Sequence, residues 1–185
     1  MNRQDRRVVS REYFSDERLA EHHFRSFNNF LRRGMQEVVD EKATIETDIG
    51  DKEGQEPVYV ELGDVRMVTP RVREADGSEE LLYPQEARLR NITYSAPVFM
   101  EMSIVRGGEE EPETVVDSTE TKVGRMPVMV GSTNCNMAEF TDEELIDIGE
   151  DPVDPGGYFI VNGSERVLMT SEDLAPNKIL AEYDS

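Results

Sequence analysis

Only a few side chains in this sequence have a type and spacing that could do chemistry. His22 and His23 are the only two histidines. On a helix, adjacent residues point ~100° apart, so the pair cannot grip one metal ion from a rigid helix. A helix-surface pair is the expectation. A Ser–His–Asp arrangement would need one of these two, and no nucleophile-elbow sequence accompanies them. Cys135, the one cysteine, lies in GSTNCNM. Nothing local marks it as a reactive thiol, so a buried small residue is expected. A single cysteine also excludes disulfides and cysteine zinc sites within one chain.

Acidic groups are plentiful, with clusters at Glu109-Glu110-Glu111, Asp142-Glu143-Glu144 and Glu150-Asp151. None has the EF-hand spacing of Gly at the sixth and Glu at the twelfth position, so they read as solvated faces. No GxGxxG and no P-loop occurs, which leaves nucleotide binding by a phosphate cradle unsupported. Asn91-Ile92-Thr93 and Asn162-Gly163-Ser164 match glycosylation sequons, but no secretory signal precedes them. What remains is arginine: Arg88 and Arg90, Arg125 in VGRMPVMV, and Arg166. At strand ends such forks can hold phosphates. Each could equally pair with a nearby carboxylate, and composition favours pairing.

The elements that must position them begin with a helix. Ser15-Asp16-Glu17 is a good helix start, an N-cap followed by first-turn acids. Leu19, Phe24, Phe27, Phe30, Leu31, Met35, Val38 and Val39 then recur at spacings of three to five, which predicts one long helix to about Glu41. Gly34 inside it costs ~1 kcal/mol relative to Ala, so a kink or a close contact is expected there. Residues 44–57 form a polar, acidic connection. Val58 to Leu62 and Val65 to Val68 suggest a hairpin around Gly63-Asp64. Arg71 to Glu74 and Leu81 to Tyr83 suggest another around Asp76-Gly77.

From Thr93 to Ile104 apolar and polar residues alternate, with Pro97 implying an edge position or a bulge. Residues 106–121 read as a solvated loop and Val123 to Val130 as a strand. Thr141 caps a short helix, Asp142 to Ile148, ended by Gly149. In DPGGYFIVNGSERVLM, the apolar runs Tyr158 to Val161 and Val167 to Met169 flank Asn162-Gly163. That dipeptide is the strongest short-range hairpin signal, because a type I′ turn needs positive φ at both central residues. The segment from Ala175 to Ser185 starts apolar and stops, as expected of part of a larger structure.

The 185 residues carry a formal charge of −20, with 40 acids against 20 bases. Sixteen of those bases are Arg and only four Lys. Excess carboxylate with scarce Lys suits a protein kept soluble in concentrated salt, where the Debye length falls to about 3 Å at 1 M. An ordinary acidic interaction protein is the alternative. Residues 1–35 go the other way, with eight Arg against five acids. The bulk charge therefore does not exclude a polyanionic partner. The longest apolar run falls far short of the ~20 residues of a membrane-spanning helix. The N-terminus lacks the apolar core of a signal peptide. A cytoplasmic chain with no membrane partner is expected.

Four words, in order, resemble the second-largest subunit of multisubunit DNA-directed RNA polymerase. They are SFNNFLRRGMQEVVDE (Ser26 to Glu41), YPQEARLRNITYSAPVFMEM (Tyr83 to Met102), VGRMPVMVGSTNC (Val123 to Cys135) and GGYFIVNGSERVL. Together they span most of the chain, and the acidic composition suggests a haloarchaeal version, in which the N-terminal half of a split subunit is called B″. The resemblance implies an α+β fold: a long N-terminal helix followed by a mostly antiparallel β-rich body, the incomplete start of the family's protrusion. Residues 1–41 would be the helical segment. Residues 42–185 would be the first part of a discontinuous protrusion domain, truncated before an inserted lobe.

The implied function is DNA-templated transcription, with this fragment forming cleft wall and nucleic-acid guidance. The implied reaction is nucleotidyl transfer from NTPs by a two-metal mechanism. In the family the metal-binding aspartates belong to the largest subunit. No catalytic residue or metal ligand is thus expected here, no cofactor is bound by this segment, and Mg2+ belongs elsewhere in the assembled polymerase. The implied partners are other polymerase subunits, the DNA template and the RNA–DNA hybrid. Asn162 to Arg166 match the family's N-G-[ST]-E-[RK], with Asn162 and Gly163 making the turn. Arg166, then Arg125 and Arg90, are the expected nucleic-acid-proximal cations, and Glu165 is expected to order Arg166 or a neighbouring strand. Ser171 and Asp173 depart from the family pattern, and an aspartate there would repel phosphate. The rival reading is a stand-alone acidic module that keeps a polymerase-like fold but acts as a regulator.

Overall fold

The computed structural model describes residues 3–16, 20–47, 57–107 and 114–173. Helix α1 (Arg3–Asp16) comes first. A helical rod of 20 residues follows, built from α2 (Glu21–Asn29), a π-helical turn (Phe30–Gly34) and α3 (Met35–Asp40). The expectation of an α+β chain led by one long helix is therefore corrected. Ser15, the expected N-cap, lies near the end of α1, and the rod starts after Ala20. The result is a small α+β domain made mostly of strands. Apolar spacing misleads here because the π turn shifts the helical phase. Phe24 is buried, whereas Phe30 and Val38 are exposed. Gly34 does mark a close contact: a Cβ there would sit 2.7 Å from the Phe30 ring.

Among the described residues the main sheet has four strands, each paired antiparallel with the next. These are β1 (Thr44–Glu46), β2 (Val58–Met67), β5 (Ser95–Arg106) and β6 (Thr114–Pro127). β2 runs straight through Gly63-Asp64, where a hairpin was expected; the glycine serves a bulge between Leu62 and Val65 instead. Gln36 of α3 fills that bulge, accepting from the Val65 N–H (3.0 Å) and donating to the Gly63 carbonyl (3.2 Å). Pro97 sits on a central strand, not an edge, with a bulge just beyond it between Val98 and Phe99. The loop expected at 106–121 is also corrected: β6 begins at Thr114. Its residues are exposed as far as Arg125, so no burial pattern betrays it. Backbone pairing with β5 holds it.

β3 (Arg71–Arg73) and β4 (Glu79–Leu81) form a hairpin around Asp76-Gly77 as expected, but its second strand ends at Leu81, where the expected one began. A helix missed in the sequence, α4 (Pro84–Leu89), follows with Pro at its first turn, a position where the missing N–H costs nothing. Thr141 and Glu144 make a capping box on α5 (Asp142–Asp147), as the S/T-x-x-E pattern indicates, and Gly149 follows with φ +82°. The core gathers Leu82, Ala87, Tyr94, Ala96, Val128, Val130, Cys135 and Ile160. It lies where α4, the start of β5, the end of β6 and β7 (Phe159–Val161) converge, not in the middle of the long sheet. Glu109 to Glu111, Leu19, most of the acidic connection and the segment from Ala175 lie outside the described residues.

Candidate functional site

The Asn162-Gly163 turn is as its sequence demands. β7 and β8 (Ser164–Arg166) pair antiparallel across it, and Asn162 and Gly163 have φ of 50° and 75°. The second strand is Ser164–Arg166, however; the apolar run Val167 to Met169 lies beyond it and is exposed. The turn is pinned to the chain that follows α4. Gly163 donates to the Ile92 carbonyl (3.0 Å), and the Asn162 N–H donates to the Thr93 hydroxyl (3.1 Å). A Cβ on Gly163 would meet the Asn91 Cα at 2.8 Å. Glycine is therefore required twice, by φ and by the approach of a second backbone.

Beneath the hairpin lies Arg88, at the end of α4. Its Nε donates to Glu165 on β8 (3.0 Å) and its Nη1 to Gln85 (3.2 Å) and Glu150 (3.4 Å). Its Nη2 reaches Asp154 (3.4 Å) and the Tyr158 hydroxyl. Glu150 is itself buried and also accepts from the Gln85 N–H at the first turn of α4 (2.6 Å). Tyr158 passes its proton bond on to Asp154. One guanidinium thus ties a helix, a hairpin and the 149–158 loop together. Burial opposes the charge on Arg88, but Tyr158, Glu165 and Glu150 outweigh it and raise its pKa. Burial, reinforced by the Asp154 carboxylate, pushes the Tyr158 phenol up. Both groups hold their protons at neutral pH, so the cluster works as a fixed clamp and not as an acid–base pair.

The sequence-derived arginines separate in space and in role. Arg90 is paired to Glu74 (2.6 Å) and Glu86 (2.7 Å), which raise its pKa. Arg125 spends its donors on β-strand neighbours: Nε on the Ser95 hydroxyl (3.1 Å), Nη2 on the Ser95 carbonyl (2.7 Å) and on the Arg71 carbonyl. Arg166 is exposed, and among the described residues nothing engages its guanidinium. Glu165 turns to Arg88 and so anchors the strand that carries Arg166. Sequence reasoning grouped Arg88 with the others and missed its hub role. Glu150 and Tyr158 gave no signal, because their meeting with Arg88 spans more than 60 positions.

Cys135 is buried against the Tyr94 hydroxyl (3.3 Å), which also accepts from the Asn136 N–H (3.0 Å). The His22 and His23 rings lie against each other, 4.0 Å between centroids. Among the described residues no group of three His, Cys, Asp or Glu side chains could hold a metal ion. Nor is any described helix long and apolar enough to cross a membrane.

Comparison with known proteins adds a family match and three relatives. The sequence profile described as RNA polymerase beta subunit matches residues 18–181. The chain is 81% identical over 185 residues, its whole length, to the DNA-directed RNA polymerase subunit Rpo2N of Halobacterium salinarum (strain R1), covering 35% of that protein. It is 44% identical over 173 residues to Rpo2N of Methanocaldococcus jannaschii, covering 92% of the chain and 33% of that relative. It is 45% identical over 179 residues to Rpo2 of Saccharolobus shibatae, covering 96% and 15%. The chain thus spans about a third of the length of the Rpo2N relatives it matches.

Proposed function

Because the chain belongs to the RNA polymerase beta subunit family, we propose that it serves as the N-terminal part of the second-largest subunit of a haloarchaeal DNA-directed RNA polymerase. In this reading it acts in DNA-templated transcription in the cytoplasm. Residues 42–185 contribute cleft wall, residues 1–41 lead into it, and other polymerase subunits and nucleic acid are its partners. The 81% identity along the whole chain is the observation that carries the reading. The nucleotidyl-transfer chemistry is assigned elsewhere in the assembled enzyme. This chain's own contribution is to hold charge in place.

The hairpin supplies the detail. Arg88 and Glu165 hold β8, and Arg166 is left exposed with donors to spare. A guanidinium in that position suits a phosphate, to which a forked pair of charge-assisted bonds contributes about 1.5–3 kcal/mol. Arg90 and Arg125 already spend donors on partners within the fold, so they rank behind Arg166 as contacts to nucleic acid. In the assembled polymerase, Arg166→Ala is expected to leave subunit assembly intact and shorten elongation-complex lifetime by about tenfold. An unchanged lifetime removes Arg166 from the interface. Failure of the chain to enter a polymerase assembly with the remaining subunits overturns the reading itself.

A further inference from the structure

Away from the hairpin, a cleft of about 900 Å3 runs along the outer face of the helical rod, with the Thr133-Asn134 turn and Met67 as its far wall. His22, Arg25, Asn29 and Arg32 line it. Their shared lining of one cleft places them on one face of the rod, with Arg32 carried by the π turn. The ten residue steps from His22 to Arg32 make this row about 15 Å long. The opposite face is aromatic and turned inward: Phe24 is buried against Gly131 and Gly156, and Phe27 packs edge-on to Phe159 (5.3 Å). The polar row is thus the outward half of an amphipathic helix.

The lining is rich in donors. Arg25 is exposed, and among the described residues nothing engages its guanidinium; Arg32 meets only the Asn29 amide oxygen (3.3 Å). Asn28 accepts through its carbonyl oxygen from both the N–H and the hydroxyl of Thr133 (3.1 Å each), which leaves its NH2 as a further donor. Among the described residues the one carboxylate in the lining is Glu21. A cation-dominated cleft is the reverse of this chain's average, with its 40 acids to 20 bases. Elsewhere Arg66, Arg88 and Arg90 all have carboxylate partners.

We propose that this cleft binds the phosphodiester backbone of a nucleic-acid strand through Arg25 and Arg32, with the amides of Asn28 and Asn29 as neutral donors. A linear row of forked and amide donors matches a repeating anion better than a single carboxylate. Among the described residues the lining holds no Phe, Tyr or Trp on which a base could stack, so binding follows the backbone and ignores base identity. The proposal extends the nucleic-acid reading above and rests on it for the choice of polyanion.

The test is a titration of the full chain with fluorescently labelled single-stranded oligodeoxythymidylate and oligodeoxyadenylate, over a salt series in which circular dichroism shows the fold intact. The two oligonucleotides are expected to bind alike. The Arg25→Ala/Arg32→Ala variant should bind at least about tenfold more weakly. Its salt dependence should be shallower by about 1.4 in log–log slope, two phosphate contacts at ~0.7 each. Arg66→Ala, on the sheet, should bind as the parent does. Parental affinity in the double variant overturns the proposal, as does failure of the parent chain to bind. Displacement of the oligonucleotide by polyglutamate as readily as by unlabelled oligonucleotide also overturns it, in favour of an acidic protein partner. Loss of this site with the Arg166-dependent complex lifetime intact would sink the cleft alone and leave the polymerase reading standing.

Discussion

Arg88 and Arg66 are both held by carboxylates, in opposite surroundings. Arg66 bridges strands β2 and β6 with a two-pronged contact to Glu120, at 2.5 and 2.7 Å, and both side chains are about half exposed, 55% and 46%. Arg88 is 20% exposed, touches three carboxylates and a phenol, and one of those carboxylates, Glu150, is only 4% exposed. Judged on geometry alone, the Arg66 pair is better. Surroundings reverse the ranking. Water and salt screen an exposed pair and entropy opposes holding it, whereas a buried carboxylate that loses its cation has nothing to replace it. Ion-pair distance is a poor guide to importance in a protein this acidic.

The sharpest way to break that comparison is Arg88→Ala. It strands Glu150 and frees the hairpin, and should cost about 2–4 kcal/mol in urea unfolding. A loss no larger than that of Arg66→Ala would refute the ranking. Gly163→Ala attacks the same hairpin from its other side, adding strain at positive φ and a 2.8 Å clash with the Asn91 backbone. A loss of about 1–3 kcal/mol is expected, read from the same unfolding curves. Hydrogen exchange should show the loss concentrated at the amides of residue 163 and Tyr94, which donate to the Ile92 and Ile160 carbonyls. Glu165→Ala removes only the exposed arm of the clamp. It should cost about 0.5–1 kcal/mol while leaving the Glu150 contact in place.

The smallest effect belongs to the exposed pair, and pH reads it. Arg66, by hydrogen bond and charge, holds the Glu120 carboxyl below its ordinary value of 4.5. Because the folded value is depressed, the pair's contribution is complete above pH 4.5 and fades as pH falls through the folded value. Thermal melts of the parent and Glu120→Gln should therefore differ only slightly at neutral pH, and that small difference should close on acidification. A large neutral-pH difference would show that the exposed pair matters more than its surroundings allow.

Local chemistry made parts of the fold legible in advance. The Asn162-Gly163 turn, the Thr141 cap before a short helix and the Asp76-Gly77 turn each satisfy their backbone within a few residues, so each formed where its sequence says. Elements sustained by distant partners were not legible. β6 carries no burial pattern because its support is the hydrogen-bonded edge of β5. Gly63 looked like a turn but serves a bulge that Gln36 completes from 27 residues away. The single long helix failed because apolar recurrence cannot register a new helix start after Ala20 or a π turn.

The sequence by itself determined the hairpin's turn type, the α5 cap, the solitary buried cysteine and, through four ordered words, the family. Each of these depends on contiguous residues. Tertiary structure alone decided which arginines keep free donors. Arg90 and Arg125 are committed inside the fold, Arg88 became the clamp, and Arg166 and Arg25 were left open to solvent. A guanidinium's role depends on which oxygens lie within about 3 Å of it, and in this chain most of those oxygens come from residues far away in sequence.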